Sequence, residues 1–359
     1  MNYAFTNGKI LDGSRDMQVH TGLCILVKNG KIHDIVSDTT DLSGYTKIDL
    51  KGHYILPGLI NMHVHLAGSG KPQKKQRDNE KLVNTIMSTS LTRAIAYRMV
   101  AGFAKDELLS GVTTIRTVGG LGDFDTRLRD EIKAGSKIGP RILASNQGIS
   151  VPGGHMAGSV AVAASSIPDA LSHLKKSEQQ KVDLIKLMIT GGVLDAKEKG
   201  VPGELKMPPE MVRAVCEKAH ADGYLVAAHV ESPEGVRVAL ENGVDSIEHG
   251  AKLTDEMVKL FKERGAFLCT TISPALPYAL FDRSITNATK RSAELTDIDS
   301  ITGSIEKGKA ADLIVTAQNP LKDLKALRNL EMVISGGRFI EHPKIKKRKQ
   351  VEAELDKFL

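Results

Sequence analysis

Short apolar segments alternate with longer amphipathic stretches through the middle of the chain. The apolar segments have strand length and lie at 113–118, 141–144, 184–189, 225–230, 246–249 and 267–271. The stretches between them have helical spacing and lie at 84–110, 163–177, 209–222, 233–242 and 254–264. Thr254 and Gly265 have the residue types that begin and end a helix. Because parallel strands are buried on both faces and joined by helices, this order predicts a parallel sheet covered by helices.

Both ends of the chain show a different pattern, with short strand-length segments separated by polar turns. These segments lie at 3–10, 24–28, 31–36 and 47–50, and near the other end at 312–315 and 332–338. The Asn29-Gly30 pair is a strong hairpin signal between two of them. Neither end has enough strands for an independent sheet. We therefore predict that the two ends together form one small β-domain.

Composition narrows the class of protein. The chain has 359 residues, of which 41% are hydrophobic, so a large core is available. No stretch approaches the roughly 18 consecutive apolar residues of a membrane span, and the first residues lack a signal-peptide pattern. The sequence therefore predicts a cytoplasmic protein with no membrane partner. Cys24, Cys216 and Cys269 lie far apart in apolar surroundings and are predicted to be core residues.

The net charge of +6 comes largely from a basic run at 344–349. One interpretation of that run is a surface for nucleic acid, and the other is a solvated helical end. Nothing elsewhere interleaves basic and aromatic residues as single-strand binders do. We therefore predict no nucleic-acid partner.

Candidate chemistry lies at the ends of the apolar segments. His63 and His65 are two residues apart on an extended segment, so their side chains share a face. Lys186, His229 and His249 each end a later apolar segment. Two imidazoles on one face are the smallest ligand set that can bind a transition metal. Functional residues at the carboxyl ends of several strands favour a barrel, whereas an open doubly wound sheet would usually show a glycine-rich first turn instead of a histidine pair.

These residues and their surroundings closely resemble the amidohydrolase superfamily. Within it the chain resembles the imidazolonepropionase-like and Xaa-Pro dipeptidase (prolidase) branch, and also ochratoxinase-type carboxypeptidases. The segments that carry the resemblance are 56–65, 111–116, 153–155, 185–186, 247–250 and 303–315. The resemblance implies a TIM-type (β/α)8 barrel with a composite β-sandwich built from both chain ends. We accordingly predict a β-sandwich from 1–57 and 303–342, a barrel at 58–302 and a basic helical tail at 343–359.

The resemblance also implies a ligand set for two divalent ions, with zinc as the expected metal. His63 and His65 would hold one ion, His229 and His249 the other, and Lys186 would bridge them as a carbamate formed with CO₂. A lysine ammonium beside two cations would be repelled, whereas its carbamate is an anionic oxygen ligand. Apolar neighbours lower a lysine pKa by desolvation, which favours the carbamate.

Two further residues have implied roles at this site. His155 lies in a glycine-rich loop, and the resemblance implies that it contacts the substrate carboxylate or the developing oxyanion. Arg116 ends a strand and has two interpretations, as a partner of a substrate carboxylate or as one half of an ion pair inside the barrel.

One element of the family pattern is missing from the sequence. The family has an aspartate at the end of strand eight that binds a metal and serves as general base. Only the 30 residues at 273–302 are left for helix seven, strand eight and helix eight, and typical element lengths need roughly double that. We therefore predict an incomplete barrel of about seven strands. Asp282 is the nearest substitute, but no pattern places it at a strand end.

Three functions stay open on the sequence. The first is metal-dependent hydrolysis of an amide or peptide C–N bond in a small substrate, such as an Xaa-Pro dipeptide or an N-acyl amino acid. The second is a metal-binding remnant with impaired catalysis, because the aspartate is absent. The third is a cyclic amidase similar to imidazolonepropionase. Homo-oligomers are common in the family.

Overall fold

The computed structural model describes residues 2–68, 78–192, 203–271 and 287–345. Asp282 and the tail beyond residue 345 lie outside the described residues. The chain divides into two compact units, one of Met1–Asn61, Ala104–Ile115 and Ser273–Leu359, and the other of Met62–Phe103 and Arg116–Ile272. The predicted domain limits therefore stay predictions, since the first unit also includes a central segment.

The strands are numbered in chain order. They are β1 Asn2–Thr6, β2 Lys9–Leu11, β3 Val19–His20, β4 Leu23–Lys28, β5 Lys31–Ser37, β6 Thr46–Asp49, β7 Tyr54–Pro57, β8 Leu59–Val64, β9 Val112–Thr117, β10 Arg141–Leu143, β11 Gly148–Ser150, β12 Ala161–Ala163, β13 Ile185–Met188, β14 Val226–Val230, β15 Ser246–His249, β16 Phe267–Cys269, β17 Leu313–Thr316, β18 Leu330–Ser335 and β19 Arg338–Glu341.

The helices follow the same order. They are α1 Asn79–Met87, α2 Ser90–Leu109, α3 Phe124–Lys133, α4 Ile167–Gln179, α5 Pro209–Ala221, α6 Pro233–Glu241, α7 Asp255–Arg264, and α8 Ser292–Leu295, which continues a π-helical turn at Asn287–Arg291. A 3₁₀ helix spans Leu324–Arg328. None of the described helices is both long enough and apolar enough to cross a bilayer.

The first unit contains two sheets, of which the first has strands from the beginning of the chain and the second has strands from both ends. Their orders are β5-β4-β1-β6 and β19-β18-β17-β7-β2-β3. One hydrophobic cluster draws on both sheets: Phe5, Ile25, Val27 and Ile32 come from the first, and Ile10, Ile55, Leu313, Val315 and Ile334 from the second. The two ends thus share one core, because neither contributes enough apolar surface alone.

The second unit contains a parallel sheet in the order β12-β11-β13-β14-β15-β16. Helices α4 to α7 alternate with its strands, as the sequence pattern predicts. Helix α7 begins after Thr254, whose side chain accepts from the Met257 N–H, and ends at Gly265 with φ of 64°. Both predicted ends of that helix are confirmed.

The parallel strands confirm an α/β architecture, but the barrel itself stays a prediction. Three further strands pair in the order β10-β9-β8. Within the described ranges, backbone pairing leaves this sheet and the six-stranded sheet as separate groups and does not close them into a ring. The predicted helix at 84–110 is also corrected, because the structure has two helices there, α1 and α2.

Alternate residues of the central strands face opposite sides of the sheet. Ile185 and Leu187 on β13, like Val226, Ala228 and Val230 on β14, join the hydrophobic cluster that the helices cover. Lys186 and His229 lie between these residues in the sequence, so they point to the other face. The periodicity of the strands thus separates a packing face from a face that carries chemistry.

Asp125 is a buried acid in the first turn of α3, and its Oδ2 has no hydrogen-bond partner in the described part of the chain. Burial raises the pKa of Asp125 to about 6, and a hydrogen bond with Thr117 only partly opposes this. A raised acid pKa means that the folded state binds the proton more tightly than the unfolded state, where the value is near 3.9. The ionised form is therefore destabilising above pH 6.

We expect Asp125→Asn to raise the free energy of unfolding at pH 8, by up to about 3 kcal/mol for a pKa displacement of this size. The gain should shrink as the pH falls from about 6 towards 4 and vanish below about pH 4, where Asp125 is protonated in both the folded and the unfolded state. Urea denaturation across this pH range measures it. Asp130→Asn, on the exposed face of the same helix, is the control and should change stability by less than about 0.5 kcal/mol. A gain independent of pH would contradict the prediction.

Candidate metal centre

Strand register brings three polar side chains to one face of the six-stranded sheet. Met188 pairs with His229, and His229 pairs with Glu248 on the next strand. Parallel neighbours in register point the same way, and Lys186 lies two residues before Met188. Lys186, His229 and Glu248 therefore share the face opposite the helices.

His249 reaches this face by a local distortion of the backbone. It follows Glu248 directly, so strand alternation would turn it towards the helices, beside its register partner Val230. Its φ is instead +71°, a left-handed conformation that is rare outside glycine and costs about 1–3 kcal/mol. The ring of His249 lies 4.7 Å from the rings of both His63 and His229. The strained residue thus completes a cluster of imidazoles.

His63 and His65 have defined tautomers. Nδ1 of His63 donates to Oε2 of Glu248 at 2.7 Å, and Nδ1 of His65 donates to the carbonyl of Gly119 at 3.0 Å. A carboxylate and a carbonyl can only accept, so in the neutral form of both rings the lone pair is on Nε2. Burial lowers the pKa of His65 to about 4, which keeps that ring neutral near pH 7.

The two Nε2 atoms face each other at 3.2 Å. Two nitrogen lone pairs at this distance repel each other unless a cation lies beside them. A tetrahedral zinc ion with Zn–N bonds near 2.05 Å would separate its nitrogen ligands by about 3.3 Å. The predicted pair therefore has the spacing and the tautomers that a metal site requires.

Glu248 is a fully buried carboxylate that holds this arrangement. Its Oε1 accepts from Nη2 of Arg116 at 2.6 Å and from the hydroxyl of Ser246 at 2.5 Å. Burial alone would raise the pKa of Glu248, but Arg116 and the hydrogen bond from His63 hold it well below its usual range. Arg116 also donates through Nε to the carbonyl of Met62. Of the two interpretations of Arg116, the structure therefore shows the ion pair.

Lys186 is 1% exposed, and its Nζ has no hydrogen-bond partner among the described residues. Burial lowers the pKa of Lys186 to about 8, although the nearby Glu248 opposes this change. A Cβ at position 148 would lie 3.2 Å from Cγ of Lys186, so Gly148 leaves room for the extended side chain. A buried amine with a substantial neutral fraction is suited to carbamate formation.

His155 packs directly against His229. Their rings stack with a centroid distance of 3.9 Å and an angle of 9°. A Cβ at position 192 would lie 2.8 Å from the His155 ring, so this approach requires Gly192. Burial lowers the pKa of His229, and its Nε2 lies 3.3 Å from the carbonyl of Gly191. All six predicted site residues thus lie in one region, whereas their roles stay predictions.

The structure adds site residues that the sequence analysis missed. His63, Glu248 and Cys269 form one group whose potential ligand atoms lie within 4.8 Å of one another, and His229, Glu231 and His249 form another. The prediction that Cys269 is a core residue was wrong, because it is only partly buried and lies beside Glu248. The sequence did contain a signal for Glu248, because a charged residue inside an apolar strand-length segment at 246–249 is unusual.

The donor set fits divalent metal ions. Neutral imidazoles and carboxylates are common ligands of zinc, and both groups combine these two types. The Glu248 carboxylate contacts Nδ1 of His63, as carboxylates do when they orient the ring of a metal-binding histidine.

We expect Arg116→Met to lower the free energy of unfolding by about 3–5 kcal/mol, because it removes the cation beside a buried carboxylate. The double variant R116M/E248L should be more stable than R116M, since it no longer buries an unpaired charge. Chemical denaturation measures both. Arg237→Met, which breaks a solvent-exposed pair with Glu241, should cost less than about 1 kcal/mol. Equal losses for R116M and R237M would contradict this account.

Comparison with known proteins identifies a family profile and related sequences that match this chain. The profile of the Amidohydrolase family matches residues 54–278. Ochratoxinase of Aspergillus niger is 23% identical over 276 residues, which cover 69% of this chain and 55% of that enzyme. The chain spans about half the length of the curated relatives it matches first.

Two solved structures are similar over almost the whole chain. One is a candidate prolidase from Bifidobacterium longum, with 29% identity, a TM-score of 0.78, and coverage of 99% of this chain and 98% of that one. The other is an Xaa-Pro dipeptidase with bound methionine, with 26% identity, a TM-score of 0.79, and coverage of 95% and 100%. Because the family profile matches more than half of the sequence and its histidine cluster assembles, this chain belongs to the amidohydrolase family.

Proposed function

We propose that this protein hydrolyses the C–N bond of an amide in a small substrate and that it uses two divalent metal ions, most simply zinc. The observation that carries the proposal is the pair of Nε2 atoms of His63 and His65, which face each other at 3.2 Å. An Xaa-Pro dipeptide or an N-acyl amino acid is the substrate class we propose. The similarity to the Xaa-Pro dipeptidase structure supports this class.

The ligands divide between two ions. His63 and His65 would bind one ion through Nε2, while His229 and His249 would bind the other. Lys186 would join the two sites as a carbamate. Metal ions bound there would polarise the carbonyl of an amide and lower the pKa of a water molecule. The buried Nζ of Lys186 supports the modification, because an unmodified ammonium would be a buried charge without a hydrogen-bond acceptor among the described residues.

Residues around the proposed ligands fix the orientation of the histidine rings. Glu248 holds the His63 ring through Nδ1, so its Nε2 stays directed into the site. The Gly119 carbonyl does the same for His65. His155, stacked on His229, is the residue we propose to contact the substrate carboxylate or the oxyanion.

The proposal covers location and partners as well. We propose a cytoplasmic enzyme whose partner is a small-molecule substrate. The general base is not assigned to a described residue in this proposal. A chain that binds metal without turnover would support the impaired remnant, and hydrolysis restricted to cyclic amides would support the imidazolonepropionase-like alternative.

The first test combines metal content with hydrolysis. We expect the purified chain to contain two zinc ions and to cleave members of a panel of Xaa-Pro dipeptides, N-acyl amino acids and cyclic amides. His63→Ala should reduce both metal affinity and turnover by at least about 100-fold. His173→Ala is the matched control, because that histidine lies on a helix surface beside Asp169. It should leave both quantities unchanged.

A folded chain that binds no divalent ion and cleaves none of the panel would refute the proposal. The Lys186 assignment has its own readout. Mass spectrometry under native conditions with bicarbonate and zinc should show the mass of one added CO₂, which K186M should lose. Persistence of that mass in K186M would contradict the carbamate assignment.

A further inference from the structure

Glu231 lies at the same end of the sheet as the second pair of histidines. It follows β14 directly, two residues beyond His229, and therefore extends from the same side of the chain. One carboxylate oxygen of Glu231, one ring nitrogen of His229 and one ring nitrogen of His249 all lie within 4.8 Å of one another. The three residues come from different positions in the sequence. His249 comes close to the other two only because its backbone adopts a left-handed conformation.

The backbone of Glu231 is held firmly in place. Its N–H donates to Oγ1 of Thr190 at 2.9 Å, and the buried Thr190 hydroxyl donates in turn to the carbonyl of Gly191 at 2.9 Å. A Cβ at position 203 would lie 2.3 Å from the carbonyl oxygen of Glu231, so Gly203 packs tightly against it. The main chain that carries the Glu231 carboxylate is thus fixed in position, as is expected for a preorganised ligand.

The two glutamates of the site have different surroundings. Glu248 has no solvent exposure and already accepts from His63, Arg116 and Ser246. Glu231 is only partly buried, and its carboxylate lies beside the His229 and His249 nitrogens. Glu248 therefore serves to orient His63, whereas Glu231 is placed to reach an ion directly.

The group of His229, Glu231 and His249 has the ligand types of a zinc site. Two imidazoles and one carboxylate form the three-ligand set of open zinc sites, in which a further position stays available for water or substrate. Two neutral imidazoles leave the full charge of a divalent ion uncompensated, and the carboxylate reduces it by one.

We propose that Glu231 is a further protein ligand of the divalent ion held by His229 and His249, in addition to the carbamate proposed for Lys186. This inference rests on the proposed function, because it assigns a further ligand within that site. It distinguishes Glu231 from a residue that contacts only the substrate, such as a partner for a substrate ammonium group.

The test measures zinc affinity on the full chain. Metal-free protein is titrated with Zn²⁺ against a chromophoric chelator, and bound zinc is counted by mass spectrometry. We expect two ions in the wild type. Glu231→Gln keeps the shape of the side chain but removes its charge, so it should weaken the second ion by about tenfold or more and leave the first unchanged. Glu231→Asp, which keeps the carboxylate on a shorter stem, should lose less affinity than E231Q.

Glu234→Gln is the matched control. Glu234 is exposed in the first turn of α6, three residues along the chain, and should bind both ions as the wild type does. Circular dichroism and the melting temperature of the metal-free variants check that they fold. If E231Q does not fold, the graded loss in E231D carries the test. Visible absorption of the Co²⁺-loaded protein should also differ between E231Q and the wild type, because its bands report the number of ligands.

The outcomes separate this inference from the proposed function. Wild-type affinity for both ions in E231Q, or in E231D where only that variant folds, would overturn the inference, even if turnover falls, and would assign Glu231 to substrate contact. Fewer than two zinc ions in the wild type would also overturn it. Two ions with the expected dependence on Glu231, but no hydrolysis, would sustain the inference and refute the hydrolase proposal.

Discussion

The buried carboxylate of Glu248 is the interaction on which the site depends. A carboxylate without solvent is stable only if cations and hydrogen-bond donors replace the lost water. Arg116 supplies the cation, and His63 and Ser246 supply further donors. The same hydrogen bond that stabilises Glu248 sets the tautomer of His63. Burial of one charge therefore determines the direction in which a candidate metal ligand presents its lone pair.

Local strain and close packing complete the arrangement. His249 reaches the other imidazoles only because its backbone adopts a left-handed conformation at the end of β15. A side chain at position 148 would press tightly on Lys186, and one at position 192 would force the His155 ring to move. Such costs are tolerated when the surrounding structure over-determines them, which is usual at functional sites. The imidazole cluster thus forms only with a departure from regular strand geometry at His249.

Charge balance links the two proposals about the inner ligands. Four imidazoles contribute no charge, so two divalent ions would leave a strongly positive centre. A carbamate on Lys186 would remove the charge of a buried ammonium and add a bridging anion. Glu231 would add another anion at the ion held by His229 and His249. Both proposed ligands would supply negative charge that the imidazoles lack.

The sequence by itself determined the alternation of strands and helices, the shared face of His63 and His65, and the family that the motifs resemble. These features follow from local periodicity, which acts over a few residues. Only the tertiary structure decided that Arg116 pairs with Glu248, that Cys269 lies beside the site, and that His249 turns against strand alternation to meet His229. Each of these depends on register between strands or on a single backbone torsion. Neither quantity is encoded in local spacing, because it results from packing between segments far apart in the chain.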